Sequence, residues 1–138
     1  MNGTLMPLAS KRGGGLHYQI YLAKRDSAKT AWSEPSQSQL AAVNANTDEF
    51  QSADGFVTES GLELYFSSTR PGGGKDSDLY VARRSSINDD FGEPELLGDL
   101  SSAAEERMPW LSPSGDHLYY ASNQSGQYAL YVAIKVEP

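Results

Sequence analysis

The sequence predicts an all-β chain. Three observations carry that expectation: a segment that recurs along the chain, alternation of apolar and polar residues inside each copy, and turn residues between the copies' strands. The recurring segment reads IYLAKR at 20–25, LYVARR at 79–84 and LYVAIK at 130–135. Trp32, in WSEP, follows Tyr21 by the same interval at which Phe91, in FGEP, follows Tyr80. Two landmarks at one interval mark an internal repeat.

The elements follow in chain order. The first copy spans about 5–47 and opens on PLASKRGGG (7–15), a strand running into a glycine turn at 13–15. IYLAKR is its next strand, and WSEP leads to an outer one. The second copy spans about 48–104 and is the fullest. Leu62, Leu64 and Phe66 alternate with Glu63 and Tyr65, and Leu79 and Val81 alternate with Tyr80 and Ala82. Period 2 with aromatic and branched residues means half-buried strands. The third copy, about 105–138, repeats this with LYYASNQSGQ (118–127) and with Leu130, Val132 and Ile134. Ser-Gly pairs at 60–61, 114–115 and 125–126 supply hairpin turns. Phe66, Leu79, Tyr80, Val81 and Leu130 are therefore expected to be buried between neighbouring sheets. SSAAEERM (101–108) has Ser102 and Glu105 at capping-box spacing, but a loop with at most one helical turn is the expectation there.

With four strands per copy labelled A to D from the innermost, the chain reads B-C-D, A-B-C-D, A-B-C. That gives about ten strands in four-stranded antiparallel units, the pattern of a partial β-propeller whose terminal blades are incomplete. An acidic pair precedes the inner strand in two copies, Asp48-Glu49 and Glu105-Glu106. Its interval to the following turn differs between them, which predicts a short insertion around Gln51 to Asp54.

Composition bounds the function. The chain has 138 residues, 38 % of them hydrophobic, which suits one domain over 1–138. Eleven Lys and Arg against 18 Asp and Glu give a net charge of −7. That argues against a nucleic-acid binder, which normally needs a basic stripe, and against an anionic membrane surface as partner. Cysteine is absent, so disulfides and thiolate metal sites are excluded. No apolar run approaches the roughly 18–20 residues of a membrane-spanning helix, so no membrane insertion is expected. The stretch MNGTLMPLASKRGGG lacks a charged head before a long apolar run, so no signal peptide is expected in it.

The string LYFSSTRPGGGKDSDLYVARR (64–84), continued by FGEPELLG (91–98), resembles the TolB-like, WD-type β-propeller repeat of bacteria. The likeness covers roughly residues 5–135. In that family the inner strand carries P-x-x-S-P-D-G. Pro109-Trp110-Leu111-Ser112-Pro113-Ser114-Gly115 matches it with Ser114 in place of Asp, while Gly55 and Glu59 replace the prolines in the second copy. The resemblance implies a bacterial periplasmic or surface location. It also implies a full ring of about six or seven blades, of which this chain would supply three.

Few side chains invite a chemical role. Arg70, in SSTRPGG, with Arg12 in a similar place, is either a ligand-facing cation or a guanidinium that ties down a loop. Glu49 and Glu106 are either pins of the connection before the inner strand or part of an acidic rim that recruits a partner. Trp110, beside Arg107 and Met108, is either core or an aromatic platform for a sugar or peptide. These five, Trp110, Arg107, Arg70, Glu49 and Glu106, are the candidate ligand-binding residues. Gly72-Gly73-Gly74-Lys75 is followed by Asp76 and a strand, so it is a hairpin and not a phosphate loop. His17 and His117 stand in no metal-ligand spacing, and no Gly-x-Ser-x-Gly elbow occurs. No catalytic residue, metal or cofactor is expected.

The expected function is a non-catalytic binding or scaffold module for a protein or glycan partner. The alternative is the propeller portion of a glycan-active or peptidase-associated enzyme whose catalytic groups lie elsewhere. A homo-oligomer that completes the ring is expected, because a partial propeller leaves two sheet faces bare.

Overall fold

The computed structural model describes residues 3–45, 49–74 and 76–136. The described residues form an all-β chain of three antiparallel sheets in sequence order. In the first, β1 (Leu5–Ser10) pairs with β2 (Gln19–Lys24). The second is a four-stranded meander of β3 (Ser52–Val57), β4 (Glu63–Ser68), β5 (Asp78–Arg83) and β6 (Glu95–Leu96). The third is β7 (Glu106–Leu111), β8 (His117–Ser122) and β9 (Ala129–Ile134). The expected outer strand of the first copy is reduced to one bridge, Leu22 to Ser36, at the register where Val81 meets Glu95 in the second sheet. Among the described residues the only helical segment is a 3-10 turn at Gly98–Leu100, and 101–105 is loop.

The turns explain the repeat. Gly61 N–H donates to Thr58 O at 2.8 Å and Gly115 N–H to Ser112 O at 2.9 Å. Both glycines sit at φ near 75°, 74° and 76°, which side chains with a Cβ resist. An arginine then locks each of the first two sheets to the chain that leaves it. Arg25 donates to Gly3 O at 2.5 Å and lies over Trp32; Arg84 donates to Gly61 O at 2.8 Å and lies over Phe91. The Trp32/Phe91 landmark is therefore an aromatic lid on a repeated guanidinium.

The second sheet is buried on both faces. Leu64, Phe66, Tyr80 and Ala82 pack with Ile20 and Leu22 of β2 and with Leu40 and Val43. On its other face Tyr65, Leu79 and Val81 pack with Leu118 and Tyr120 of β8. Alternation in the sequence thus sends successive residues into two cores. The third sheet has only one covered face. Leu130, expected to be buried, is 75 % exposed. The alternation places it on the right side of the strand, but no described element covers that side.

The inner strands correct one further expectation. Ser52 lies opposite Ser68 and Glu106 opposite Ser122; both ladders then shift register, between Ala53 and Phe56 and between Arg107 and Trp110. β3 and β7 therefore match residue for residue, with no insertion around Gln51 to Asp54. Glu105-Glu106 matches Gln51-Ser52, and Glu49 stands upstream of that register. Asp48 lies outside the described residues.

Candidate functional site

The register shifts are bulges, which bend a strand and re-aim its side chains. At each bulge a residue with a Cβ takes a left-handed backbone: Asp54 at φ 54° and Met108 at φ 55°. Such backbones are costly and cluster at functional sites. Beyond the bulges, Phe56 and Trp110 come forward as counterparts, with ring centroids 6.2 Å apart. Tyr119 flanks Trp110 at 5.5 Å.

These two rings open onto a groove of about 440 Å³ between the turns at 58–61 and 112–115. Trp110 is 46 % exposed. Glu59 and Glu63 line the groove, together with serines from both turns, and no Lys, Arg or His lines it. Glu63 is held by Arg83 at 3.0 Å. Glu59 is exposed in its turn and carries no ion pair among the described residues. Carboxylate charge beside an open indole suits a cation, which the ring face and the carboxylate attract together.

Ser112 and Ser114 do not form a catalytic triad with His117 and Asp116. Ser112 Oγ donates to Asp116 Oδ1 at 3.0 Å, Ser114 Oγ donates to the same oxygen, and His117 Nδ1 lies 2.7 Å from it. A catalytic triad needs the imidazole between hydroxyl and carboxylate. Here the carboxylate stands between them. The bonds from Ser114, His117 and Ser112 hold the Asp116 carboxyl below the ordinary carboxylate range.

The other sequence candidates lie elsewhere. Arg70 is buried, its guanidinium near Phe50, Phe66 and Tyr80 at 5.1–5.3 Å. It donates to Val43 O at 2.5 Å and to the hydroxyls of Ser52 and Ser68 at 3.0 and 3.1 Å. Burial draws its pKa below the usual arginine value. Arg70 thus fastens the connection around Val43 to the second sheet. Arg107 Nε donates to Asp54 Oδ2 at 3.0 Å across the two inner strands, and that bond raises its pKa. Glu106 is buried at the start of β7, accepting from Ser102 N–H at 3.2 Å, from Ser122 Oγ at 3.0 Å and from Ser102 Oγ. Glu49 is exposed in the turn before β3. The triple glycine serves Asp78: Gly74 N–H donates to its carboxylate at 2.6 Å, and a Cβ on Gly73 would strike it. Lys75 lies outside the described residues.

Of the five candidates, the groove gathers Trp110 alone. Phe56, Glu59 and Glu63 were not singled out from the sequence. The signal for them was already present in the match of Gly55 and Glu59 with Pro109 and Pro113, which sets Phe56 at the place of Trp110 in the repeat. A larger cleft of about 680 Å³ lies between 96–100 and β9. Its walls are mainly Leu96, Leu97, Leu100 and Leu118, at the edge where the third sheet shows no fourth strand among the described residues.

Among the described residues no cluster of three metal-ligating side chains occurs. Scans against protein-family models and against curated proteins give no match.

Proposed function

We propose that this chain is a non-catalytic recognition module built from consecutive blades of a β-propeller, and that it binds a basic segment of a protein partner in the Trp110–Phe56 groove. Three observations support the propeller arrangement. The second and third sheets are up-and-down meanders, the three sheets stack face to face in chain order, and the inner strands of the second and third carry the same bulge. The TolB-like repeat resemblance of the sequence points the same way.

The single observation that carries the ligand reading is the exposed Trp110 ring in a groove that holds Glu59 and no cation. A Lys or Arg side chain satisfies both groups; a neutral sugar would engage the ring and leave Glu59 as an ordinary polar rim. The net charge of −7 adds a long-range attraction for a basic partner. The test is a mixed array of Lys/Arg-rich peptides, acidic peptides and neutral glycans. Binding confined to the basic peptides, weakened by salt and lost in Trp110→Ala, is the expected result. Retention of neutral glycans in place of peptides would overturn the ligand reading.

A further inference from the structure

We infer that the Trp110 groove selects arginine over lysine: one guanidinium from a partner's peptide segment stacks on the Trp110 ring and forks onto the Glu59 carboxylate. The inference rests on the basic-segment reading above and names the side chain that reading leaves open.

The chain itself shows how its rings hold guanidinium groups. Arg25 lies 4.3 Å from the centroid of Trp32 and donates to Gly3 O at 2.5 Å. Arg84 lies 4.2 Å from the centroid of Phe91 and donates to Gly61 O at 2.8 Å. Arg70, set among Phe50, Phe66 and Tyr80, donates to Val43 O and to two serine hydroxyls. In each case an aromatic ring takes the cation while an oxygen takes its N–H groups. A planar, weakly hydrated guanidinium meets both demands at once. An ammonium is a compact, strongly hydrated charge with no plane to stack.

The groove presents the same two partners, and no cation of the chain lines it. Trp110, nearly half exposed, supplies the ring. Phe56 and Tyr119 meet it at tilts of 58° and 49°, so neither ring lies flat on the indole. Glu59 supplies the oxygens, from the same turn whose Gly61 carbonyl holds Arg84. A carboxylate accepts two parallel N–H bonds from a guanidinium, which a lysine does not offer.

Arg83 sets how many cations the groove asks for. It donates to Glu63 at 3.0 Å and to Glu95 at 2.8 Å, so the second carboxylate of the groove already has its counter-charge. Glu59 has none among the described residues. One arginine therefore completes the site, and a second cation would have to displace Arg83.

The rest of the lining suits the chain on either side of that arginine. Thr58 and Ser60 stand on one wall, with their hydroxyls 3.0 Å apart, and Ser112 and Ser114 stand likewise on the other. Hydroxyls both donate and accept, as the N–H and C=O groups of an extended peptide require. A free guanidine compound would leave them to water.

Calorimetric titration of the purified chain tests this with a peptide carrying one Arg in a neutral frame, the same peptide with Lys in its place, and arginine amide. The Arg peptide should bind roughly tenfold more tightly than the Lys peptide, and more tightly than arginine amide. The preference for Arg should shrink toward none in Trp110→Leu. Trp110 packs on Phe56 and Tyr119, so Glu59→Gln, exposed in its turn, is measured alongside and should narrow the preference too. Equal affinity for the Arg and Lys peptides, or a preference that survives both substitutions, would overturn the inference. Arginine amide binding as tightly as the Arg peptide would overturn the peptide source. Lys/Arg-rich peptides titrated in parallel separate this inference from the reading beneath it. If they bind while the Arg peptide does not, the inference alone falls; if neither binds, the basic-segment reading falls with it.

Discussion

The carboxylate of Asp54 receives the Nε–H of Arg107 at 3.0 Å, joining the inner strand of the second sheet to that of the third. It also accepts from Ser67 Oγ at 2.7 Å within its own sheet. One residue in a left-handed backbone therefore couples two sheets.

That coupling is measurable. The Arg107 and Asp54 side chains are 34 % and 19 % exposed, so solvent screens the pair in part. A double-mutant cycle of Asp54→Asn and Arg107→Gln should give a coupling of roughly 1 kcal/mol in urea unfolding. A coupling indistinguishable from zero would mean the two sheets are held by apolar packing alone.

The two bulge residues should respond oppositely to glycine. Met108→Gly relieves the left-handed backbone and should stabilise the fold by up to about 1 kcal/mol. Asp54→Gly relieves the same strain but removes the carboxylate that Arg107 and Ser67 use, so it should destabilise. Equal responses at the two sites would contradict the assigned role of Asp54.

Core truncation should separate the double-covered sheet from the single-covered one. Phe66 has no exposed surface and packs in the first core, so Phe66→Ala should cost roughly 3–5 kcal/mol. Leu130→Ala, on the bare face of an isolated chain, should cost under about 1 kcal/mol. The comparison is made by chemical denaturation under conditions where the protein is monomeric.

Arg70 should tolerate no conservative exchange. Its fork reaches Val43 O and two serine hydroxyls at once, which a lysine ammonium on a single stem does not reproduce. Arg70→Lys should lower stability by roughly 1–3 kcal/mol. Intact stability in that variant would show that the aromatic surroundings alone hold the cation.

Asp116 should stay ionised to unusually low pH. Its folded pKa is depressed by hydrogen bonds from Ser114, His117 and Ser112, so whatever it adds to stability is present above the unfolded aspartate pKa and fades only as pH falls through the folded one. An NMR titration of the side-chain carboxyl should find the midpoint below the ordinary 3.8, and Ser114→Ala should move it upward. A midpoint at the ordinary value in the unsubstituted chain would mean that those bonds do not persist in solution.

The strand pattern was legible because alternation is a local property. Leu64/Phe66 and Leu79/Val81 announce a buried strand whichever sheet covers it. Burial of Leu130 was not legible, because its cover depends on a neighbour that the strand's own residues do not specify. Arg70 and Glu106 illustrate a second gap. Both have charged side chains and both are buried, and the partners that satisfy them, Val43 O and Ser102 N–H, come from loops that periodicity does not read. The groove was half legible. An exposed Trp110 was a reasonable expectation, and the match of Gly55 with Pro109 sets Phe56 at the same repeat position, but that the two rings meet across neighbouring sheets needed the backbone geometry.

The most direct test of the account is a fluorescence titration of Trp110 in a Trp32→Phe background with a short Lys/Arg-rich peptide, repeated in Glu59→Gln. The account predicts saturable change of the Trp110 emission, with affinity roughly five- to tenfold weaker in Glu59→Gln and declining with added salt. Emission that does not respond to the peptide, or an affinity unchanged by Glu59→Gln, would contradict it.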